Sequence, residues 1–117
     1  MKLPRVVARE TTPERLCLTL AVDPGLEWFA GHFPGHPVLP GVAQVGWAIA
    51  YAREGFGFAA DPLSIDHVKF LRPLAPGVTA TLELHRAGTT GRINYRLSIA
   101  GELAGSGRLD FGSGGTP

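Results

Sequence analysis

The chain has 117 residues, which suits one domain, and at this size only about two-thirds of the unfolded surface is buried, so pairing with a second copy would help its core. Eleven basic residues against ten acidic ones, with no basic run, argue against nucleic acid as a partner. Met1-Lys2-Leu3-Pro4 is not followed by the apolar stretch of a secretory leader, and nothing reaches the roughly 18 apolar residues of a membrane span, so no membrane partner and a cytoplasmic location are expected.

In chain order, Pro4 to Glu10 and Arg15 to Val22 favour strand, with Thr11-Thr12-Pro13-Glu14 as the turn between two paired strands. Cys17 lies among Leu16, Leu18 and Leu20 with no second cysteine for a disulfide or metal site, and is expected to be a buried small hydrophobe. From Asp23 to Pro40 the chain carries Pro24, Gly25, Gly31, Pro34, Gly35, Pro37 and Pro40, too much punctuation for regular structure. Loops of that length inside compact domains are usually functional.

A helix is expected from Gly41 or Val42 to about Glu54, stopped by Gly55 and Gly57. Before Arg53 its only polar side chains are Gln44 and the amphipathic Trp47 and Tyr51, so it has no solvated stripe and reads as a buried helix that a sheet must wrap. After Pro62 four strands are expected: Leu63 to Leu71, Val78 to Arg86, Arg92 to Ile99 and Glu102 to Phe111. In the second and third of these, polar and apolar residues alternate, giving a sheet with one buried and one wet face. Read as a meander, they complete an α+β arrangement in which an antiparallel sheet curls around one central helix. Residues 1–111 form the expected domain, and the Gly/Ser-rich residues 112–117 a disordered tail.

The chemistry concentrates in Gly31-His32-Phe33-Pro34-Gly35-His36-Pro37-Val38-Leu39-Pro40-Gly41-Val42. A stiff loop holds an imidazole close to a helix N-terminus, whose unpaired N–H groups and partial positive charge suit a carbonyl oxygen gaining negative charge. An imidazole titrates near ~6.5, so His32 can act as a neutral base, or serve only as a hydrogen-bond strut; His36 reads as a strut or pocket wall, with catalysis as its alternative. Gly41 lets a ligand approach the backbone closely, or merely starts the helix. Gln44 can orient a water but cannot donate a proton as an acid does. Gly46 costs about 1 kcal/mol relative to alanine inside a helix, which suggests close packing or room for a ligand.

The loop and helix resemble the β-hydroxyacyl-acyl-carrier-protein dehydratases, which have the hot-dog fold; Ile65-Asp66-His67-Val68-Lys69-Phe70, Arg72-Pro73-Leu74 and Pro76-Gly77 are similar to the strand and turn that follow the helix in that family. From Trp28 to Trp47 the likeness is nearest to the short dehydratase-like proteins of aryl-polyene and related pigment pathways. The resemblance implies dehydration of a 3-hydroxyacyl thioester to the trans-2-enoyl form, in fatty-acid or polyketide-like synthesis, in a site shared by two subunits. His32 matches the histidine that removes the α-proton. Gly41, with Val42 beside it, matches the glycine whose N–H binds the thioester carbonyl.

The family's acid lies fourteen residues beyond its histidine, on the partner's helix, and that position here is Gly46. Glu54 is too far along the helix to replace it; Asp66 and His67 are strand residues that either reach the site or, for Asp66, pair with a neighbouring cation. The implied partners are an acyl carrier protein bearing an acyl-phosphopantetheine, met by Lys69, Arg72 or Arg53, and a second hot-dog subunit, identical or related. No cofactor or metal is implied. Two alternatives accompany this reading: an impaired subunit that pairs with an active dehydratase, and an acyl thioesterase.

Overall fold

The computed structural model describes residues 3–23 and 41–112. Two strands come first, β1 (Arg5–Thr12) and β2 (Arg15–Ala21). Their turn is tighter than expected because Thr11 and Thr12 already pair with Leu16 and Arg15, leaving Pro13 and Glu14 to reverse the chain. In β2 the two-residue period sends Leu16, Leu18 and Leu20 inward and turns the intervening residues to the other face. Cys17 is one of these, so it is half-exposed and not the buried hydrophobe expected. Its partial burial, opposed by nearby Arg15, raises the thiol pKa above its ordinary value.

The helix α1 (Gly41–Phe56) begins where expected and runs past Gly55. That glycine does not stop it. It permits close packing instead: a Cβ there would lie 2.5 Å from Leu16 Cδ2. The helix ends at Gly57, whose φ of +77° favours a residue without a side chain, and the N–H groups of Gly57 and Phe58 both donate to the Arg53 carbonyl, at 3.0 and 3.1 Å. Phe58 then stacks on Phe111 with ring centroids 4.1 Å apart, which fixes the chain leaving the helix against the end of the sheet.

Four more strands follow: β3 (Ser64–Phe70), β4 (Thr79–Arg86), β5 (Arg92–Ile99) and β6 (Glu102–Asp110). All six form one antiparallel sheet in the order β1-β2-β4-β5-β6-β3. The meander is therefore β4-β5-β6 alone, and β3 lies at the far edge beside β6 instead of beside β4. Residues 71–78, with Pro73, Pro76 and a Gly77 at φ +89°, are too long a connection for a tight hairpin, and they carry the chain across the sheet to pair with β2. The Val22 and Gly77 backbones seal that crossing through Val22 N–H to Val78 C=O at 3.0 Å and Gly77 N–H to Val22 C=O at 2.7 Å.

The sheet curls around α1, as the hot-dog arrangement requires. Ala43, Trp47, Ala48 and Ala52 are all fully covered, and they meet inward leucines of β2 and β4 and Ile93, Tyr95 and Leu97 of β5. Tyr51 ties the helix to the start of β1 by donating its hydroxyl to the Pro4 carbonyl at 2.8 Å; burial, with Glu54 nearby, pushes its pKa up to about 12. On the side of the helix away from the sheet, Val45, Gly46, Ile49 and Ala50 are only half-buried and Val42 is 68% exposed. That apolar side is the part of the helix the described chain leaves uncovered.

Candidate active site

Gly41 is the first residue of α1, so its N–H and those of the next three residues have no carbonyl partner inside the helix. Among the described residues, none outside the helix accepts from them. These donors, with the helix dipole behind them, are what an oxyanion of a thioester needs. Phe70, the last residue of β3, lies directly against this helix start: a Cβ on Gly41 would stand 3.0 Å from three carbons of its ring. Glycine is the residue that lets the backbone pass under the ring without pushing it away.

Phe70 arrives there because β3 is irregular. Asp66 pairs with Arg108 and Lys69 with Ser106, so β3 spends three steps where β6 spends two. The extra residue sits at the bulge around His67, whose φ is +55°. Were β3 regular over these residues, with no bulge, alternation would put Asp66 and Lys69 on opposite faces. With it, both take the outer face and Phe70 the inner one, opposite Gly105.

Gln44 is buried on the sheet side of α1, with its Oε1 against Gly105 of β6 and no hydrogen-bond partner among the described residues. Residues 44 and 46 are about 200° apart around a helix, so Gln44 faces the sheet while Gly46 belongs to the less covered side. The amide is therefore not positioned to stand in for an acid at position 46. Gly107, two residues along β6, makes room in the same way for Tyr95, whose ring carbons would come within 2.6 Å of a Cβ there. Burial pushes the Tyr95 hydroxyl pKa up to about 12, and it too lacks a partner among the described residues. The small residues of β6 are the feature that sequence reasoning missed; the signal was the run Ala104-Gly105-Ser106-Gly107 inside a strand, where glycine marks close approach.

The remaining candidates separate. Asp66 and His67 lie on the outer face, away from α1: Arg108 Nε donates to Asp66 Oδ1 at 2.9 Å, and His67 Nδ1 lies 2.9 Å from the same oxygen and 3.0 Å from Arg108 Nη2. The Arg108 hydrogen bond, helped by that of His67, holds the Asp66 carboxyl below its ordinary range. Its preference for the charged form is present above the unfolded carboxylate pKa and is lost as pH falls through the lowered folded value. In an NMR acid titration Asp66 is expected to protonate later than a free aspartate, and Arg108→Ala to return it towards the ordinary value; an unmoved midpoint in that variant would refute the pairing. Glu54 pairs with Arg9 at 3.0 Å, Arg53 with Asp61 at 3.0 Å, and Arg72 with Glu102. Lys69 has no ion-pair partner among the described residues. His32 and His36 lie outside the described residues, as does the tail expected at 113–117.

Among the described residues no group of three or more His, Cys, Asp or Glu could hold a metal ion, and no helix is long and apolar enough to cross a membrane. The model of the ApeI-like family, described as ApeI dehydratase, matches residues 8–108. A protein of Thermomicrobium roseum named 3-hydroxyacyl-(acyl-carrier-protein) dehydratase FabZ is 40% identical over 98 residues, which span 72% of this chain and 63% of that protein. One of the same name from Desulforamulus reducens is 37% identical over 97 residues, 74% of this chain and 68% of its own. Among solved structures, the dehydratase heterocomplex ApeI:P from Xenorhabdus doucetiae contains a chain that superposes with a TM-score of 0.86 at 34% identity, covering 93% of this chain and 97% of that one. A helix start that lies against an aromatic ring, on a six-stranded sheet of this order, thus agrees with a sequence match over most of the chain: the protein belongs to the ApeI-like dehydratase family.

Proposed function

We propose that this chain dehydrates a 3-hydroxyacyl thioester, presented by an acyl carrier protein in the cytoplasm, to the trans-2-enoyl thioester. The observation that supports this reading is the set of helix-start amides at Gly41 with no acceptor among the described residues, nine positions after His32 in the sequence. With the thioester oxygen on those amides, the α-carbon becomes acidic enough for a neutral imidazole to take its proton. The C–H electron pair becomes the new double bond, the β-carbon–oxygen bond breaks, and the hydroxyl leaves as water once it receives a proton. His32 is the base in this scheme, and Val42 lines the same helix start.

The proton for the departing hydroxyl is the part the chain does not supply at position 46. A subunit interface supports a way round this. Edge strand β3 and the residues flanking it leave Leu63, Ile65, Phe70 and Leu71 between 43% and 80% exposed, and the described residues leave the side of α1 away from the sheet uncovered. A second hot-dog subunit on that surface would bury both, and if it were a related chain with a carboxylate at the position of Gly46, one complete pair of base and acid would result. The heterocomplex of the Xenorhabdus relative favours this over a homodimer.

The test is enoyl formation from 3-hydroxyacyl carrier protein, by the chain alone and with a co-purifying hot-dog partner. Activity only in the mixture supports the paired arrangement; no enoyl product in either sample overturns the dehydratase reading, and release of free carrier thiol would indicate a thioesterase instead. Gly46→Asp is expected to raise the rate of the chain alone, by up to about 10²-fold if a positioned acid is all it lacks. An unchanged rate in a folded variant would mean the pocket has been remodelled beyond that one group.

A further inference from the structure

We infer that the outer face of β5, β6 and β3 carries an anion site for a phosphate ester, on the side of the sheet opposite α1. A groove of about 370 Å³ opens there, lined by His67, Lys69, Asn94, Arg96, Ser106 and Arg108 among others. The strand register arranges these groups in rows. Lys69 is paired with Ser106 and Ser106 with Arg96, so two cations flank a hydroxyl across three adjacent strands, with backbones about 10 Å apart. The next row is Asp66, Arg108 and Asn94.

Charge in the groove is not balanced. Arg108 is held by Asp66, but Lys69 and Arg96 have no ion-pair partner among the described residues. Glu83 stands directly across from Arg96 on β4, yet its carboxylate turns to Arg15 at 3.4 Å and His85 at 3.2 Å. Two unneutralised cations on opposite walls, with the Ser106 hydroxyl between them and the Asn94 amide in the adjoining row, suit a tetrahedral oxyanion that accepts from several directions. The volume leaves room for an organic group esterified to it. A second observation points the same way: the left-handed backbone at His67, which costs energy for a residue with a side chain, is what turns Lys69 to this face. None of this depends on the dehydration reading.

The experiment is an NMR titration of the isotope-labelled protein with sodium phosphate at constant ionic strength. Saturating shifts are expected at the amides of Lys69, Arg96, Ser106 and Gly107, with none from added sodium chloride. Joint Lys69→Ala and Arg96→Ala substitution should weaken binding at least tenfold without changing the melting temperature, because both side chains are exposed. Arg72→Ala, which removes a cation already held by Glu102, should leave it intact. Repeating the titration with pantetheine 4′-phosphate and with adenosine 5′-monophosphate separates the two sources of such an ester, since the tighter ligand identifies either a carrier's prosthetic arm or a free nucleotide. Shifts that grow linearly with phosphate, that chloride reproduces, or that survive the double substitution would overturn the site.

Discussion

Replacing His32 by alanine is expected to lower the rate of enoyl formation by about 10²–10⁴-fold, the usual contribution of a positioned general base. The size follows from the chemistry that remains. An α-proton beside a thioester is a weak acid, and the Gly41 amides proposed to stabilise the resulting oxyanion are backbone groups which the substitution leaves in place. The variant should therefore retain residual dehydration above the solvent rate, with the loss mainly in kcat, because substrate still binds at the helix start. A circular dichroism spectrum matching that of the parent excludes unfolding as the cause. An unchanged rate would reduce His32 to a strut and remove the base from the proposed mechanism.

Trp47→Ala is expected to cost about 3–5 kcal/mol in urea unfolding, enough to leave a domain of ordinary stability barely folded. The indole is fully covered in the middle of α1, flanked along the helix by Ala43, Ala48 and Tyr51, and small neighbours cannot expand to fill the space it leaves. Its Nε1 is buried without a hydrogen-bond partner among the described residues, which makes Trp47→Phe informative. That change removes an unsatisfied donor while keeping most of the volume, so its cost should be well below that of alanine. If alanine costs less than about 1 kcal/mol, the core does not close around this residue and the packing described above is wrong.

Much of this architecture was legible in local patterns. β5 spans Arg92–Ile99 as the alternation suggested, and the apolar run from Gly41 became the central helix. The difficulties have specific physical causes. The leucines around Cys17 suggest burial, whereas alternation by itself assigns it to the outer face, where it lies. Gly55 reads as a stop because glycine is a poor helix former; the helix keeps it because Leu16 leaves no space for a side chain. The position of β3 is a long-range choice, although the length of residues 71–78 already disfavoured a hairpin with β4. Around the site, Gly41 could be read from Pro40-Gly41 opening an apolar run. The ring of Phe70 above it could not, because that contact depends on a bulge whose only sequence trace is a break in alternation at His67-Val68.

That single surplus residue in β3 decides which solvent each neighbouring side chain meets. Straighten the strand between Asp66 and Lys69 while keeping all its residues, and an ammonium would enter the apolar layer while a phenyl ring moved out into water. One kink in the backbone thus sorts oil from charge along the sheet margin, and the helix-facing surface and the proposed anion-facing one are geometrically bound to each other.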